Sequence, residues 1–163
     1  MKHTIQKPNN RGFTLIELLV VIGILALLLA ITLIAINPAK QFMQANDTKR
    51  SSDVNAILNA LNQYAADNRG QLPAGIGESA VNIGSSGVDI CADLVTEYLA
   101  ALPTDPTVGF ANDGTTNVTG APVTICANAY STGYTVSRSS TNNRLTVSAT
   151  SEANPTVPIQ VTR

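Results

Sequence analysis

An uninterrupted apolar segment near the start of the chain dominates its hydrophobic pattern. Residues 13 to 36 read FTLIELLVVIGILALLLAITLIAI and carry one charge, on Glu17. A helix of this length rises about 36 Å, enough to cross a hydrocarbon core of about 30 Å. A short basic segment, residues 1 to 12, precedes it. The positive-inside rule places that segment in the cytoplasm and everything after residue 36 outside.

A second stretch, residues 37 to 69, has the pattern of an amphipathic helix. Asn37-Pro38 interrupts the apolar segment, and we interpret the proline as a kink rather than an end. Gly70 suits a left-handed position that closes the helix. The sequence therefore predicts one long bent helix from about 13 to 68, whose second half packs on a globular domain. The apolar residues at helical spacing are Phe42, Met43, Val54, Ile57, Leu58, Leu61 and Tyr64.

Charged residues lie between the apolar positions of this second half. The Lys49-Arg50 pair in particular is typical of a solvated helix face.

The remaining residues, 70 to 163, are polar and predict a small antiparallel sheet domain. Gly and Ser mark a loop up to Gly87, and Pro103 closes a short helix that begins at Asp89. The expected fold class is α+β, with a long bent N-terminal helix that is transmembrane in its first half. The predicted strands are 123–127, a hairpin of 133–138 with 144–149, and a last edge strand, 157–161, limited by Pro155 and Pro158.

Composition narrows the classes of function. Aromatic residues make up 4 % of the chain, so the core must be aliphatic. The single histidine, His3, lies in the basic segment, so the rest of the chain lacks the commonest general base and metal ligand. No serine or cysteine triad is therefore available, and no glycine-rich phosphate loop is present, so we expect a protein that is not an enzyme. Beyond residue 12 the chain holds 7 Lys and Arg against 11 Asp and Glu, which disfavours DNA as a partner.

Two cysteines, Cys91 and Cys126, both lie in the polar half of the chain. An even count in an exported domain indicates one disulfide, and two unrelated buried thiols are the alternative.

Three interpretations compete for the apolar segment. A secretory signal peptide needs a shorter apolar core and a small-residue cleavage site, whereas this segment is long and ends in Ile36-Asn37-Pro38. A plain signal anchor accounts for the length and orientation but leaves Glu17 unexplained. A carboxylate inside a spanning helix costs about 2.5 kcal/mol or more near the bilayer centre, so a partner for it is expected.

The segment RGFTLIELL, residues 11–19, resembles the class III signal of type IV pilins and type II secretion pseudopilins. Members of that family have a short basic leader, then Gly, then Phe, with Glu at the fifth mature position; Glu17 is fifth from Phe13. The resemblance implies cleavage between Gly12 and Phe13 by a prepilin peptidase, followed by methylation of the Phe13 amine. It covers roughly residues 8 to 36.

The resemblance gives Glu17 a partner. Cleavage creates a cationic amine on Phe13, and Glu17 of a neighbouring subunit can pair with it, which favours docking and fixes the axial stagger. The resemblance also implies a homo-oligomeric helical filament, assembled from the inner membrane by a platform and a cytoplasmic ATPase. The precursor is then expected in the inner or cytoplasmic membrane, and the mature chain in a surface pilus or a periplasmic pseudopilus.

The turn Leu102-Pro103-Thr104-Asp105-Pro106 resembles the LPxDP turn of many pseudopilins. Some relatives bind calcium after it, so Asp105 and Asp113 are weak calcium candidates, with oxygen ligands of the kind that Ca²⁺ prefers. Asp-Gly at residues 113 and 114 is equally an ordinary turn. No other metal or cofactor is expected.

The sequence leaves three functions open within this resemblance. The first is a structural pilin subunit of a type IV pilus-like filament. The second is a minor subunit that primes assembly or binds DNA or a surface. The third is a pseudopilin of a secretion system, which the LPTDP turn favours, whereas the cysteine pair favours a pilus.

Overall fold

The structure, a computed structural model, describes residues 12–163, so most of the basic segment and His3 lie outside the described residues. The described chain divides between Ala39 and Lys40 into two compact units. The predicted α+β fold class is confirmed. The elements in chain order are α1 (Leu15–Ala35), α2 (Pro38–Asp67), β1 (Val81–Gly84), α3 (Cys91–Leu94), β2 (Phe110–Asn112), β3 (Asn117–Thr119), β4 (Tyr130–Arg138), β5 (Leu145–Ala149) and β6 (Ile159–Thr162).

Helix α1 is apolar on every face. Its 21 residues include none that is buried, and its mean hydropathy is 3.2 over the most apolar window. Within residues 12–163 it is the one helix long and apolar enough to cross a membrane. At about 1.5 Å per residue its length, about 32 Å, matches a hydrocarbon core of about 30 Å.

The apolar helix continues into α2 after a break of two residues. Ile36 takes an extended conformation, and its N–H closes the last turn of α1 on the Thr32 carbonyl. The sequence predicted a kink within one helix, whereas the structure interrupts the helix at Ile36 and Asn37. The reason is that a residue before proline is pushed out of the helical region. Pro38 opens α2, where its missing N–H costs no hydrogen bond.

The apolar stripe of α2 packs on the sheet only from residue 50 onward. Val54, Ile57, Leu58 and Leu61 are fully buried, as the spacing predicted. Phe42 was expected in the same stripe but is 71 % exposed, because the first turns of α2 bury no side chain before Arg50. At the other end, Gly70 takes the predicted left-handed conformation, with φ of 83°, and its N–H bonds to the Ala65 carbonyl.

A single antiparallel sheet faces α2. Its strands run in the order β3-β2-β4-β5-β6, and β1 pairs with β4 on the side opposite β5. The predicted hairpin is confirmed as β4 and β5, which pair from Thr135 with Ser148 to Arg138 with Leu145. The last strand is confirmed as an edge strand, β6, which starts at Ile159, directly after Pro158. The free edges β1, β3 and β6 are only four, three and four residues long.

Three predictions of local structure were wrong. The Gly- and Ser-rich loop contains strand β1, and β2 and β3 were not predicted at all. The predicted helix from Asp89 to Leu102 is a single turn, α3, because Thr96 has a φ of 81° and the chain folds back from Val95 to Leu99. The predicted strand 123–127 is one bridge between Val123 and Leu102, after which residues 125–128 turn.

The core lies between α2 and the sheet and is largely aliphatic, as the composition predicted. Two tyrosines of β4 are its exceptions. Tyr134 donates its hydroxyl to Asp53 of α2 at 2.8 Å, and Tyr130 donates to Asp89 at 2.7 Å. Each buried hydroxyl therefore has a carboxylate acceptor, which avoids the cost of an unsatisfied polar group. The largest aliphatic members are Ile57, Leu58, Leu61, Ile83, Ile90, Leu94 and Leu102.

A disulfide joins Cys91 of α3 to Cys126, with the Cα atoms 5.3 Å apart. The sequence separation is 35 residues, and the enclosed segment contains the LPTDP turn, β2 and β3. Constraining such a loop in the unfolded chain stabilises the folded state by about 3–4 kcal/mol in the chain-entropy model.

We expect Cys91→Ser with Cys126→Ser to lower the free energy of unfolding by about 3–4 kcal/mol. Tyrosine fluorescence during urea unfolding of the full chain in detergent isolates this effect, because all four tyrosines, at 64, 98, 130 and 134, lie beyond residue 39. A non-reducing peptide map of the wild-type chain should show the two cysteine peptides linked. Alkylation of both thiols without reductant would contradict the pairing.

Candidate functional site

The first turn of α1 begins with a reciprocal hydrogen-bonded cap. The Thr14 hydroxyl accepts the Glu17 N–H at 3.3 Å, and Glu17 Oε2 accepts the Thr14 N–H at 2.8 Å. The Thr14 hydroxyl also donates to the same oxygen at 2.7 Å. This capping box satisfies N–H groups that a helix start otherwise leaves without a partner.

Only one of the two oxygens of the Glu17 carboxylate takes part in this cap. Both hydrogen bonds from Thr14 go to Oε2, and within residues 12–163 no donor reaches Oε1. A carboxylate can accept on both oxygens, so Oε1 is available to a donor from another molecule. The side chains around it are apolar: Phe13, Ile16, Leu18, Val20 and Val21.

The two residues expected to flank the cleavage site stand directly before this cap. Phe13 is 85 % exposed, and a Cβ placed on Gly12 would meet no atom within 4 Å. The structure thus brings Gly12, Phe13 and Glu17 together at the start of one helix. Within residues 12–163, no atom of the chain restricts the size of a side chain at Gly12.

Thr14 was not singled out in the sequence, although a signal for it was present. Thr14 and Glu17 have the S/T-x-x-E spacing of a capping box directly before an apolar helical run.

A second polar cluster surrounds Arg50 of α2. Its guanidinium donates from Nε to Asp105 Oδ2 at 2.6 Å and from Nη2 to Asp105 Oδ1 at 3.1 Å. Nη1 reaches Asp47 at 2.8 Å and Glu152 at 3.2 Å. Three carboxylates and the Thr107 hydroxyl therefore satisfy one guanidinium that is 3 % exposed. The prediction of a solvated face at Lys49-Arg50 is wrong for Arg50.

Asp47 and Asp105 are each fixed by several donors besides Arg50. Asp47 accepts from the Ser151 hydroxyl and from the N–H groups of Glu152 and Ala153. Asp105 accepts from the Thr107 and Val108 N–H groups. Burial alone raises the pKa of Asp105, but the hydrogen bonds from Arg50, and then those from Thr107 and Val108, outweigh burial and hold the pKa at about 2. For Asp47, too, burial raises the pKa, but the hydrogen bonds from Ser151, Glu152, Arg50 and Ala153 outweigh burial and lower it.

The two calcium candidates have different partners in the structure. Asp105 binds Arg50, whereas Asp113 lies in the turn between β2 and β3 and accepts from the N–H groups of Thr115 and Thr116. Those turn hydrogen bonds lower the pKa of Asp113 to about 2. In the described part of the chain, no three His, Cys, Asp or Glu side chains form a group that could hold a metal ion. Calcium binding stays a prediction.

We expect Arg50→Met to destabilise the globular unit by about 3–5 kcal/mol, because it leaves Asp105 buried without a counter-charge. Lys49→Met is the matched control, since the Lys49 side chain is 45 % exposed and its loss removes one i,i+4 pair with Asp53 and one hydrogen bond to the Thr104 carbonyl. The control should cost about 1 kcal/mol. Urea unfolding followed by tyrosine fluorescence compares the two, and equal losses would contradict the role given to Arg50.

The low pKa of Asp105 predicts a loss of stability in acid. A carboxyl whose pKa falls on folding, here from 3.8 to about 2, contributes stability that is present above the unfolded pKa. That contribution disappears as the pH falls through the folded pKa. We expect the thermal midpoint to fall between about pH 4 and pH 2. Asp105→Asn should be less stable at neutral pH, and its thermal midpoint should fall less between about pH 4 and pH 2. If the midpoint of this variant falls as much as that of the wild type, a group other than Asp105 causes the acid sensitivity.

One family model matches the chain. It is the prokaryotic N-terminal methylation motif, and the match spans residues 7–33. No curated protein and no solved structure matches the chain. The matched residues include the glycine and phenylalanine before the cap, the capping box, and most of α1.

This match and the geometry at the start of α1 concern the same residues. The chain therefore carries the prokaryotic N-terminal methylation motif, which is the class III signal peptide of type IV pilins and pseudopilins.

Proposed function

We propose that this chain is a structural subunit of a type IV pilus-like filament and polymerises through α1 after its leader is removed. The motif supports a type IV pilin-like or pseudopilin protein, and it implies processing by a prepilin peptidase. The observation that carries the proposal beyond the motif is α1 itself. Every residue of this apolar helix is exposed in the single chain, so the helix requires lipid or other copies to cover it.

The membrane is the first of these two environments. An apolar helix of 21 residues behind a basic leader suits a membrane-anchored precursor. In our proposal the leader stays in the cytoplasm, the globular unit is exported, and a platform with its ATPase moves the processed chain into the filament. The role is structural rather than enzymatic.

Glu17 supplies the specific contact in this proposal. Its Oε2 is held by Thr14, and its Oε1 is open to the methylated amine that cleavage creates on Phe13 of a neighbouring subunit. In an apolar environment the amine and the carboxylate are each costly alone and attract strongly as a pair. Pairing would therefore fix how far one subunit is staggered along the next.

A pseudopilin of a secretion system is the second candidate. The observation that favours it is the LPTDP turn, in which Asp105 both closes the turn and binds Arg50. The two candidates share α1, the cleavage site and Glu17.

We expect cleavage after Gly12 and methylation of Phe13. The intact mass of the mature protein should lack residues 1 to 12 and include one added methyl group. Gly12→Val should block processing by hindering the peptidase rather than by disturbing the fold, because a side chain at Gly12 meets no atom of residues 12–163. Gly23→Ala, a glycine of α1 that is equally unobstructed, is the matched control and should be processed normally. A mature N-terminus at another residue would contradict the proposal.

We expect Glu17→Ala to leave insertion and processing normal and to abolish most filaments. The substitution removes a carboxylate that is costly in lipid, but it also leaves the neighbour's amine without a counter-charge. Glu17→Asp should be milder, because the charge remains and only its reach shortens. Glu78→Ala, an exposed glutamate of the globular unit, controls for the loss of one charge. Electron microscopy of sheared filaments beside a membrane immunoblot tests this, and wild-type filament numbers from Glu17→Ala would refute the pairing.

A further inference from the structure

Two arginines lie in one row across three neighbouring strands. Arg138 at the end of β4 pairs with Leu145 of β5, and Leu145 exchanges both backbone hydrogen bonds with Arg163, which follows β6. Residues in register on adjacent strands point to the same face of a sheet, and adjacent strands lie about 4.8 Å apart. The two arginines therefore flank Leu145 on the face that looks towards α2, with their Cα atoms roughly 10 Å apart.

The row borders a cleft of about 250 Å³ at the end of the helix–sheet sandwich. The last turns of α2 and the segment after it form the opposite wall. Two arginines, two asparagine amides and two leucines dominate the lining: Arg138, Arg163, Asn62, Asn143, Leu72 and Leu145.

Among residues 12–163, neither guanidinium group of this cleft has an Asp or Glu partner. Within residues 12–163, no Asp or Glu oxygen lies within 4.0 Å of Arg138 or Arg163, whereas Lys49 and Arg50 are both paired. Arg163 donates one hydrogen bond, from Nη1 to Asn59 at 2.8 Å, and Arg138 donates none from its side chain. Asp67, the last residue of α2, accepts the Tyr98 hydroxyl.

Capping of α2 does not account for these arginines. Positive side chains often lie near the C-terminus of a helix, where they complement its dipole and its last carbonyls. Here Asn68 and Gly70 already donate to the Tyr64 and Ala65 carbonyls. Most of the guanidinium donors in the cleft are therefore open to a ligand.

We propose that this cleft binds a single anionic sugar residue through its carboxylate or phosphate group. A guanidinium fork matches the oxygens of both groups, and two forks from one row can converge on one anion above Leu145. The asparagine amides can bond sugar hydroxyl groups, and the leucines provide an apolar floor. The volume suits one sugar unit, and no aromatic ring lines the cleft to stack a nucleobase. The site does not depend on filament assembly.

Calorimetric titration of the detergent-solubilised full chain tests the proposal, with glucuronate and glucose 6-phosphate as probes and glucose as the neutral control. At least one of the two anionic sugars should bind and glucose should not, and the stronger of the two identifies the preferred anion. Arg138→Gln and Arg163→Gln should each weaken binding by roughly tenfold or more, the value of a hydrogen bond to a charged group.

Arg144→Gln is the matched control, because Arg144 is an exposed arginine of the same hairpin that does not line the cleft. It should change the affinity by less than about twofold, the size of an ordinary surface effect. Arg138→Lys keeps the charge but loses the fork, so it should also weaken binding, and it replaces Arg138→Gln if that variant lacks the wild-type near-ultraviolet tyrosine spectrum. Three results would overturn the proposal: no binding of either anionic sugar, equal losses in all the arginine variants, or tighter binding of duplex DNA than of either sugar.

Discussion

The burial of Arg50 among three carboxylates is the interaction on which the globular unit depends. Its partners come from α2 itself, from the turn before β2 and from the segment after β5, so one guanidinium joins three parts of the chain. A buried ion pair is favourable only when nearly all its hydrogen bonds are made, and here backbone N–H groups and hydroxyls complete both Asp47 and Asp105. Because the geometry is so fully determined, α2 has one register against the sheet, and the aliphatic stripe that follows can pack.

Helix α1 differs from the globular unit in what its side chains contact. It buries nothing within its own chain, and its one carboxylate is held by a local cap rather than by a distant partner. The cap allows a charged group to enter an apolar environment with half of its hydrogen-bonding capacity satisfied. The other oxygen is the one that our proposal pairs with a neighbouring subunit. The chain thus combines a globular unit whose central guanidinium is paired with three carboxylates and a helix whose carboxylate keeps one oxygen open, which our proposal assigns to assembly.

The parts that sequence could predict are those encoded locally. The methylation motif lies within residues 7–33, and the β4–β5 hairpin follows from two alternating runs around a polar turn. The Arg50 cluster could not be predicted, because its partners lie 55 and 102 residues away and a charged pair on a helix normally faces water. Strand β1 was missed for a related reason: its four residues are held by β4, about fifty positions later, and carry little signal of their own. Both the Arg50 cluster and strand β1 depend on contacts between residues far apart in the sequence, which a local pattern does not reveal.

The short free edges of the sheet affect how copies of the chain behave when they are crowded together. In the proposed membrane pool, copies of the chain lie close together, and an exposed strand edge can template pairing with the next chain. Here the free edges are three or four residues long, β1 carries an irregularity between Asn82 and Gly84, and Pro158 precedes β6. Each edge offers too few backbone groups for a stable intermolecular ladder. Short edges disfavour aggregation through the sheets, so in the proposed filament the apolar helix remains the surface through which copies associate.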